Sequence, residues 1–131
     1  MPSTSEPRPV PCHGADVKIG TGIFAMYGAQ MLFTPSKMTT DHFHKPSDKY
    51  LDFWIRGQSV SIFTTCYLLN QVPALLAAKV LTAMTASVAV LYPFNAKFGY
   101  LSQLEPKYPM HYVPEALMAL LTAAGVISLL K

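Results

Sequence analysis

Long apolar segments without charge alternate with polar, proline-containing segments along this chain. No charged residue occurs in 19–36 or in 116–130, and Lys79 is the only one in 57–96. A bilayer core tolerates such segments and is crossed by about 17–25 helical residues. The pattern therefore predicts an all-α protein, a membrane-embedded, up-and-down bundle of about four short transmembrane helices.

Prolines and capping residues mark the ends of these predicted helices. Pro35 ends the first because its ring and its missing N–H disfavour further helix, and Ser47 is the expected N-cap of the second. Pro73 and Pro114 suit the first turns of the third and fourth helices, where a backbone donor is unpaired anyway, and Pro93 stops the third. The predicted spans are 17–34, 50–72, 73–93 and 114–130.

Residues 1–16 are predicted to form an extended, Pro-rich N-terminal arm, and residues 17–131 a single transmembrane helical domain. The N-terminus lacks the apolar core of a secretory signal and the Arg-rich amphipathic pattern of a mitochondrial presequence. Targeting is therefore internal, or a presequence has been removed. A chain of 131 residues with a membrane bundle has no room for a separate soluble catalytic unit.

An up-and-down order places the two long connections, 34–50 and 94–113, on one side of the bundle. We call this side the aromatic end, because eight aromatic residues would lie there as an interfacial belt. They are Tyr50, Trp54, Tyr92, Phe94, Phe98, Tyr100, Tyr108 and Tyr112. The opposite side, which we call the plain end, holds the tight turn at Asn70 and the C-terminus. Basic residues are too evenly divided between the two ends to orient the bundle.

Composition narrows the possible partners. Charged residues make up 13% of the chain and hydrophobic residues 51%, which is about half the charged fraction of a soluble protein. The net charge of +3 comes from scattered basic residues, so nucleic acid is not an expected partner. Cys12 and Cys66 offer neither a disulfide framework nor a zinc-binding spacing.

Small residues recur at four-residue spacing in the first, third and fourth predicted helices. Such stripes let helix backbones approach closely in a membrane, where lipid removes the hydrophobic driving force for helix association. The candidate contact residues are Ala25, Ala29, Ala78, Ala86, Ala119 and Ala123. They serve packing within the bundle or docking on a neighbouring subunit, and the spacing alone does not separate these uses.

Charged residues at the helix ends predict one interfacial ion pair. Arg56 is costly in hydrocarbon unless paired, and Asp52 lies one turn earlier. Alternatively, Arg56 binds an anionic lipid headgroup or a carboxylate of a partner. Lys79 is expected to extend its stem toward the plain end.

His42, His44 and His111 are the candidate cofactor-binding residues. With Asp41 they are the only group that resembles a metal cluster, and imidazole binds zinc, copper, iron or the magnesium of a chlorin ring. A chlorophyll or other pigment, a haem or a lipid is therefore a candidate cofactor. The alternative is a pair of solvated loop histidines, and we assign no metal site.

The sequence contains no catalytic constellation. No nucleophile is accompanied by a base and an orienting acid, and no glycine-rich phosphate loop is present. The apolar segments also lack the mid-membrane carboxylates and histidines of transporters. We therefore expect no enzymatic activity and no small-molecule substrate.

The order of motifs resembles the DoxX-like four-helix membrane proteins. A Gly-containing first helix ends in Leu-Phe-Thr-Pro, a polar loop follows, and Phe-Trp-Ile-Arg-Gly opens the second helix. The shared layout covers 20–130, with Pro35, Arg56 and Gly57 as specific positions, whereas the loop 94–113 is longer than the hairpins of that group. The resemblance implies a four-helix membrane bundle, but no function, because the group has no uniform activity.

These observations favour a non-catalytic accessory subunit of a large bioenergetic membrane complex, of the respiratory-chain or photosystem type. It would lie in a mitochondrial inner membrane or a thylakoid membrane, with other subunits and membrane lipids as partners. One alternative is a pigment- or haem-linked subunit that uses the loop histidines. The other is a soluble helical bundle, favoured by a mean hydropathy of only +0.28.

Overall fold

A computed structural model describes residues 13–131 of the chain, and helices account for most of them. In chain order these are α1 (His13–Phe33), α2 (Pro35–His42), α3 (Lys49–Leu69), α4 (Ala74–Leu91), α5 (Pro93–Phe98) and α6 (Tyr112–Leu130). No strand occurs in this part of the chain, which has one isolated antiparallel bridge between Phe43 and Pro106. The prediction of an all-α protein is confirmed.

The four long helices coincide with the four predicted segments. Two stretches are long and apolar enough to cross a membrane by length and composition, namely Ala74–Phe98 and Tyr112–Leu130. The more polar α1 and α3 are not among them. Two possible membrane-spanning segments are therefore present in the described part of the chain, in place of the four that were predicted.

Prolines and caps determine where the helices begin and end. Pro35 and Pro93 open α2 and α5, at positions where proline lacks only a donor that would be unpaired. The prediction of Ser47 as the N-cap of α3 is wrong. The cap is Asp48, whose carboxylate accepts a hydrogen bond from the Leu51 amide at 2.7 Å, while the Ser47 hydroxyl donates to Asp52.

The predicted N-terminal arm of residues 1–16 overlaps the first helix of the structure. Residues 13–16 belong to the first turn of α1, because Asp16 carries a carboxylate that favours a helix N-terminus. The prediction for residues 1–12 lies outside the described residues.

The long helices pack as a row in the order α3, α1, α4, α6. The middle helices α1 and α4 contact each other, α3 packs on α1, and α6 packs on α4. No Cα atom of α3 lies within 8 Å of one in α6. No contact between α3 and α6 therefore closes the bundle. The gap between these two helices determines where a site can form.

Side-chain hydrogen bonds join the helices at the plain end. The Asn70 amide donates to Thr21 Oγ1 at 3.0 Å, which ties the end of α3 to α1. Ser128 of α6 donates to Asp16 at 2.8 Å, and its hydroxyl lies 3.1 Å from Nδ1 of His13. Buried polar groups on helices need such partners when water is absent.

Close backbone approach between α4 and α6 depends on Gly125. A Cβ atom at this position would overlap the side chain of Thr82, and Thr82 is held by a 2.7 Å hydrogen bond from its hydroxyl to the Ala78 carbonyl. The predicted small-residue packing is therefore present here, although Gly125 is not one of the predicted alanines.

We expect Gly125→Ala to destabilise the protein by about 1–3 kcal/mol, because an overpacked contact must push α4 and α6 apart. Gly22→Ala is the matched control, since Gly22 has no atom within 4 Å of an added Cβ. The control should be neutral or slightly stabilising, because alanine favours helix over glycine. Thermal unfolding in detergent, followed by circular dichroism, measures both. Equal stability of the two variants would contradict the packing argument.

Candidate functional site

The two long connections meet at the aromatic end, as the up-and-down order predicted. The His44 amide donates to the Glu105 carbonyl at 2.9 Å, and the Lys107 amide donates to the His42 carbonyl at 2.7 Å. The Lys107 ammonium also donates to the Thr40 carbonyl at 3.1 Å. These bonds join the end of α2 to the segment before α6.

This junction brings two of the three predicted histidines together. The rings of His42 and His111 lie edge to face, with centroids 6.0 Å apart. His42 is 7% exposed and His111 fully buried, whereas His44 is exposed. The structure therefore contains a buried pair, and the third predicted residue is not part of it.

Three aromatic rings enclose His111. Phe43, Tyr92 and Tyr108 have centroids between 5.4 and 5.9 Å from the His111 ring. Nε2 of His111 lies 3.2 Å from the carbonyl of Pro93, and a carbonyl only accepts. Nε2 therefore carries the hydrogen in the neutral ring, and the lone pair is on Nδ1.

A buried carboxylate lies beside the pair. Glu115 accepts a hydrogen bond from the Tyr108 hydroxyl at 2.7 Å and another from the Lys97 ammonium at 3.4 Å. Nε2 of His111 is 3.8 Å from the same carboxylate. Desolvation and the bond to Glu115 raise the pKa of Tyr108 to about 12, so this hydroxyl remains a donor at neutral pH.

One ring nitrogen of each histidine in the pair makes no hydrogen bond. Nδ1 of His42 and Nδ1 of His111 are buried and have no hydrogen-bond partner. No group of three or more His, Cys, Asp or Glu side chains in 13–131 is placed to hold a metal ion. Within 13–131 the pair therefore offers two buried nitrogen atoms without a hydrogen-bond partner and no third ligand of these types.

The predicted ion pair between Asp52 and Arg56 does not form as a direct contact. Asp52 instead accepts hydrogen bonds from Ser47 and from Ser36, the latter at 2.6 Å. Nε of Arg56 donates to the Leu32 carbonyl at 3.3 Å. The prediction is wrong because Ser36 of α2 and Ser47, which precedes α3, donate hydrogen bonds to this carboxylate instead.

An apolar cavity of about 310 Å³ lies next to the histidine pair. All four long helices contribute to its wall, together with α2. Phe43 and Tyr92 line the cavity and also contact His111. The rings of these two residues therefore separate the cavity from the histidines.

The predicted alanines divide between the interior and the surface. Ala78 is buried, and Ala25, Ala29 and Ala86 are partly buried. Ala119 and Ala123 of α6 are exposed. The stripes of α1 and α4 therefore pack within the protein, and that of α6 does not.

Sequence reasoning missed the buried roles of Glu115, Tyr108 and Tyr27. Glu115 lies in the first turn of α6, a position where a carboxylate is ordinarily explained by the helix dipole. The spacing of His111 and Glu115, four residues apart across Pro114, is the signal that could have joined them. No sequence signal marks Tyr27, whose hydroxyl is buried without a hydrogen-bond partner.

Comparison of this chain with protein-family models, with curated proteins and with solved structures found no match. The resemblance to DoxX-like proteins therefore stays a prediction.

We expect acid to destabilise the protein through His42. Burial, followed by the neighbouring His111, lowers the pKa of His42, and Asp41 only partly opposes this. In the unfolded chain His42 takes up a proton as the pH falls below its usual pKa of about 6.5. In the folded chain it stays neutral to a lower pH. Stability is therefore full above about pH 6.5 and decreases as the pH falls toward the lowered folded pKa.

His42→Gln should flatten this pH dependence, because the side chain no longer titrates. His44→Gln, at the exposed histidine, should keep the dependence of the wild type. Melting temperatures between pH 7.5 and 5, at about half-unit steps, measure the difference. An unchanged slope in His42→Gln would assign the acid sensitivity to another group.

Proposed function

We propose that the protein is a non-catalytic accessory subunit of a larger membrane complex, and that it docks through the outer face of α6. The observation that carries the proposal is the apolar surface that the folded chain leaves uncovered on its long helices. A single soluble domain rarely exposes a continuous apolar surface of this kind.

The two most apolar segments are mostly uncovered within the chain. Of the residues in the apolar windows of Ala74–Phe98 and Tyr112–Leu130, 28% and 17% are buried. The core helix of a soluble bundle would instead be covered by its neighbours. This supports a membrane location over the alternative of a soluble helical bundle.

Helix lengths also match a bilayer. At a rise of 1.5 Å per residue, the long helices extend for roughly 27–32 Å, close to the hydrocarbon core of about 30 Å. We propose that all four cross it, with α1 and α3 tolerated because their polar groups bond to each other. The Asn70–Thr21 bond and the Cys66 thiol, which lies 3.4 Å from the Thr21 carbonyl, are examples of this.

The aromatic end supports an interfacial position. Tyr50, Trp54, Tyr100 and Tyr112 are exposed there, and such residues are enriched at headgroup level. The exposed Arg56 forms no direct ion pair with Asp52, so its guanidinium is available to an anionic headgroup.

The outer face of α6 fits a helix of a partner subunit. Ala119 and Ala123 are exposed beside Leu120 and Ile127, which are 66% and 56% exposed. Small residues at four-residue spacing with flanking aliphatic side chains allow close helix contact in lipid. We propose the bioenergetic complexes of a mitochondrial inner or thylakoid membrane as the host assemblies. The proposal follows from two features of the sequence, the lack of a catalytic constellation and the Pro-rich N-terminal segment.

We expect the full-length chain to stay in the membrane pellet after extraction with alkaline carbonate, which releases peripheral and soluble proteins but not spanning helices. A peripheral subunit of the same membrane serves as the control for complete extraction. Recovery of the chain in the supernatant would contradict the membrane location.

We expect Ala123→Trp to release the chain from its host complex, because the ring blocks close approach to α6. Ala123→Ser is the control, since it keeps the side chain small. Purification in mild detergent, with size analysis and identification of co-purifying proteins, should find wild type and Ala123→Ser in a large assembly. The melting temperature of Ala123→Trp alone should be unchanged, because residue 123 is exposed. A wild-type chain that purifies as a stable monomer would refute the proposal.

A further inference from the structure

The apolar cavity is too large to be an ordinary packing defect. Its volume is about 310 Å³, whereas protein interiors contain few voids larger than a water molecule. Its size is at the lower end of the range for small-molecule sites, about 300–1,000 Å³. The cavity is partly open to the surroundings of the protein, so a ligand can enter it.

The wall is suited to a flexible hydrocarbon. Four of the seven methionines of the chain line the cavity. They are Met31, Met38, Met84 and Met118. Unbranched thioether side chains adapt to irregular apolar ligands. The remaining wall is mainly aromatic and aliphatic, including Phe24, Ile55, Ile62 and Val88.

One polar group in the wall lacks a partner. Tyr27 lines the cavity, and its hydroxyl oxygen is buried with no hydrogen bond. Thr39 and Tyr92 also carry hydroxyls in the wall. The Thr39 hydroxyl donates to the Pro35 carbonyl at 3.2 Å, and of the three hydroxyls only that of Tyr27 is buried without a hydrogen-bond partner. A buried hydroxyl without a partner is costly, and a ligand with an acceptor atom would remove that cost if the Tyr27 side chain turns its hydroxyl toward the ligand.

The position of the cavity indicates where such a ligand comes from. Ile55 and Ile62 of α3 line one side and Pro114 and Met118 of α6 the other, and these two helices do not meet. The cavity is partly open, and the gap between α3 and α6 is the side that no direct contact between these long helices closes. In the proposed membrane location the surroundings of the bundle are lipid chains.

We propose that this cavity binds an apolar chain that carries a carbonyl group, and that the carbonyl oxygen accepts a hydrogen bond from the Tyr27 hydroxyl. An acyl ester lipid and a carbonyl-bearing isoprenoid lipid share this chemistry. The inference rests on the proposed function only for the lipid source of the ligand, because the cavity and Tyr27 belong to the folded chain itself.

The binding test uses the full-length protein in detergent, with methionine methyl groups labelled for NMR. Methyl decanoate and decane are the probes, since they differ by the ester group. Methyl decanoate should shift the signals of Met31, Met38, Met84 and Met118. Met26 and Met110 are exposed and do not line the cavity, so they report nonspecific effects of the micelle and should not shift.

The hydrogen bond is tested with Tyr27→Phe, which keeps the ring and removes the hydroxyl. The variant should bind methyl decanoate about threefold to tenfold more weakly and decane as tightly as the wild type. Equal weakening for both probes, or none for either, would overturn the role of Tyr27. Uniform shifts of all methionines, or none in the four cavity residues, would overturn the site.

The natural occupant is identified by organic extraction of the purified protein and mass spectrometry. Acyl esters or carbonyl-bearing isoprenoids at about one molecule per chain would support the inference and name the source. A bound lipid without a carbonyl would contradict it. Ala123→Trp leaves the cavity intact, so loss of the complex and loss of the ligand are separate outcomes.

Discussion

The backbone hydrogen bonds between the end of α2 and the segment before α6 determine how the aromatic end is built. The bonds His44 to Glu105 and Lys107 to His42 join two connections that are far apart in sequence. They fix α2 across the end of the bundle and bring His42 against His111. Without them, neither the histidine pair nor the α2 wall of the cavity would have a defined position.

The sequence predicted the helices better than it predicted the contacts between them. Prolines and uncharged runs act locally, so the positions of α1, α3, α4 and α6 followed from them. The pairing of His42 with His111 and the burial of Glu115 depend on distant connections, which local patterns do not encode. Asp52 shows the same limit. Helical spacing predicted an ion pair with Arg56, whereas the Asp52 carboxylate accepts a hydrogen bond from Ser36 of α2.

Small residues are buried between helices in one part of this chain and exposed on its surface in another, and the open row of helices explains the difference. Helices α1 and α4 lie in the middle of the row and bury small residues such as Ala78 and Gly20 against neighbours. Helix α6 lies at the end of the row, packs mainly on α4 and makes only minor contacts with α1 and α5. Its small-residue stripe at Ala119 and Ala123 therefore remains exposed in the folded chain.

Helix geometry keeps the ligand cavity and the docking face of α6 apart. Successive residues of an α-helix are rotated by about 100°, so Ala119 and Ala123 point roughly 100° and 140° away from Met118. Met118 and Pro114 face the cavity, and Gly125 faces Thr82 of α4. A partner helix on the alanine face would therefore not contact the side of α6 that lines the cavity. Lipid binding and subunit docking are for this reason compatible functions of one small bundle.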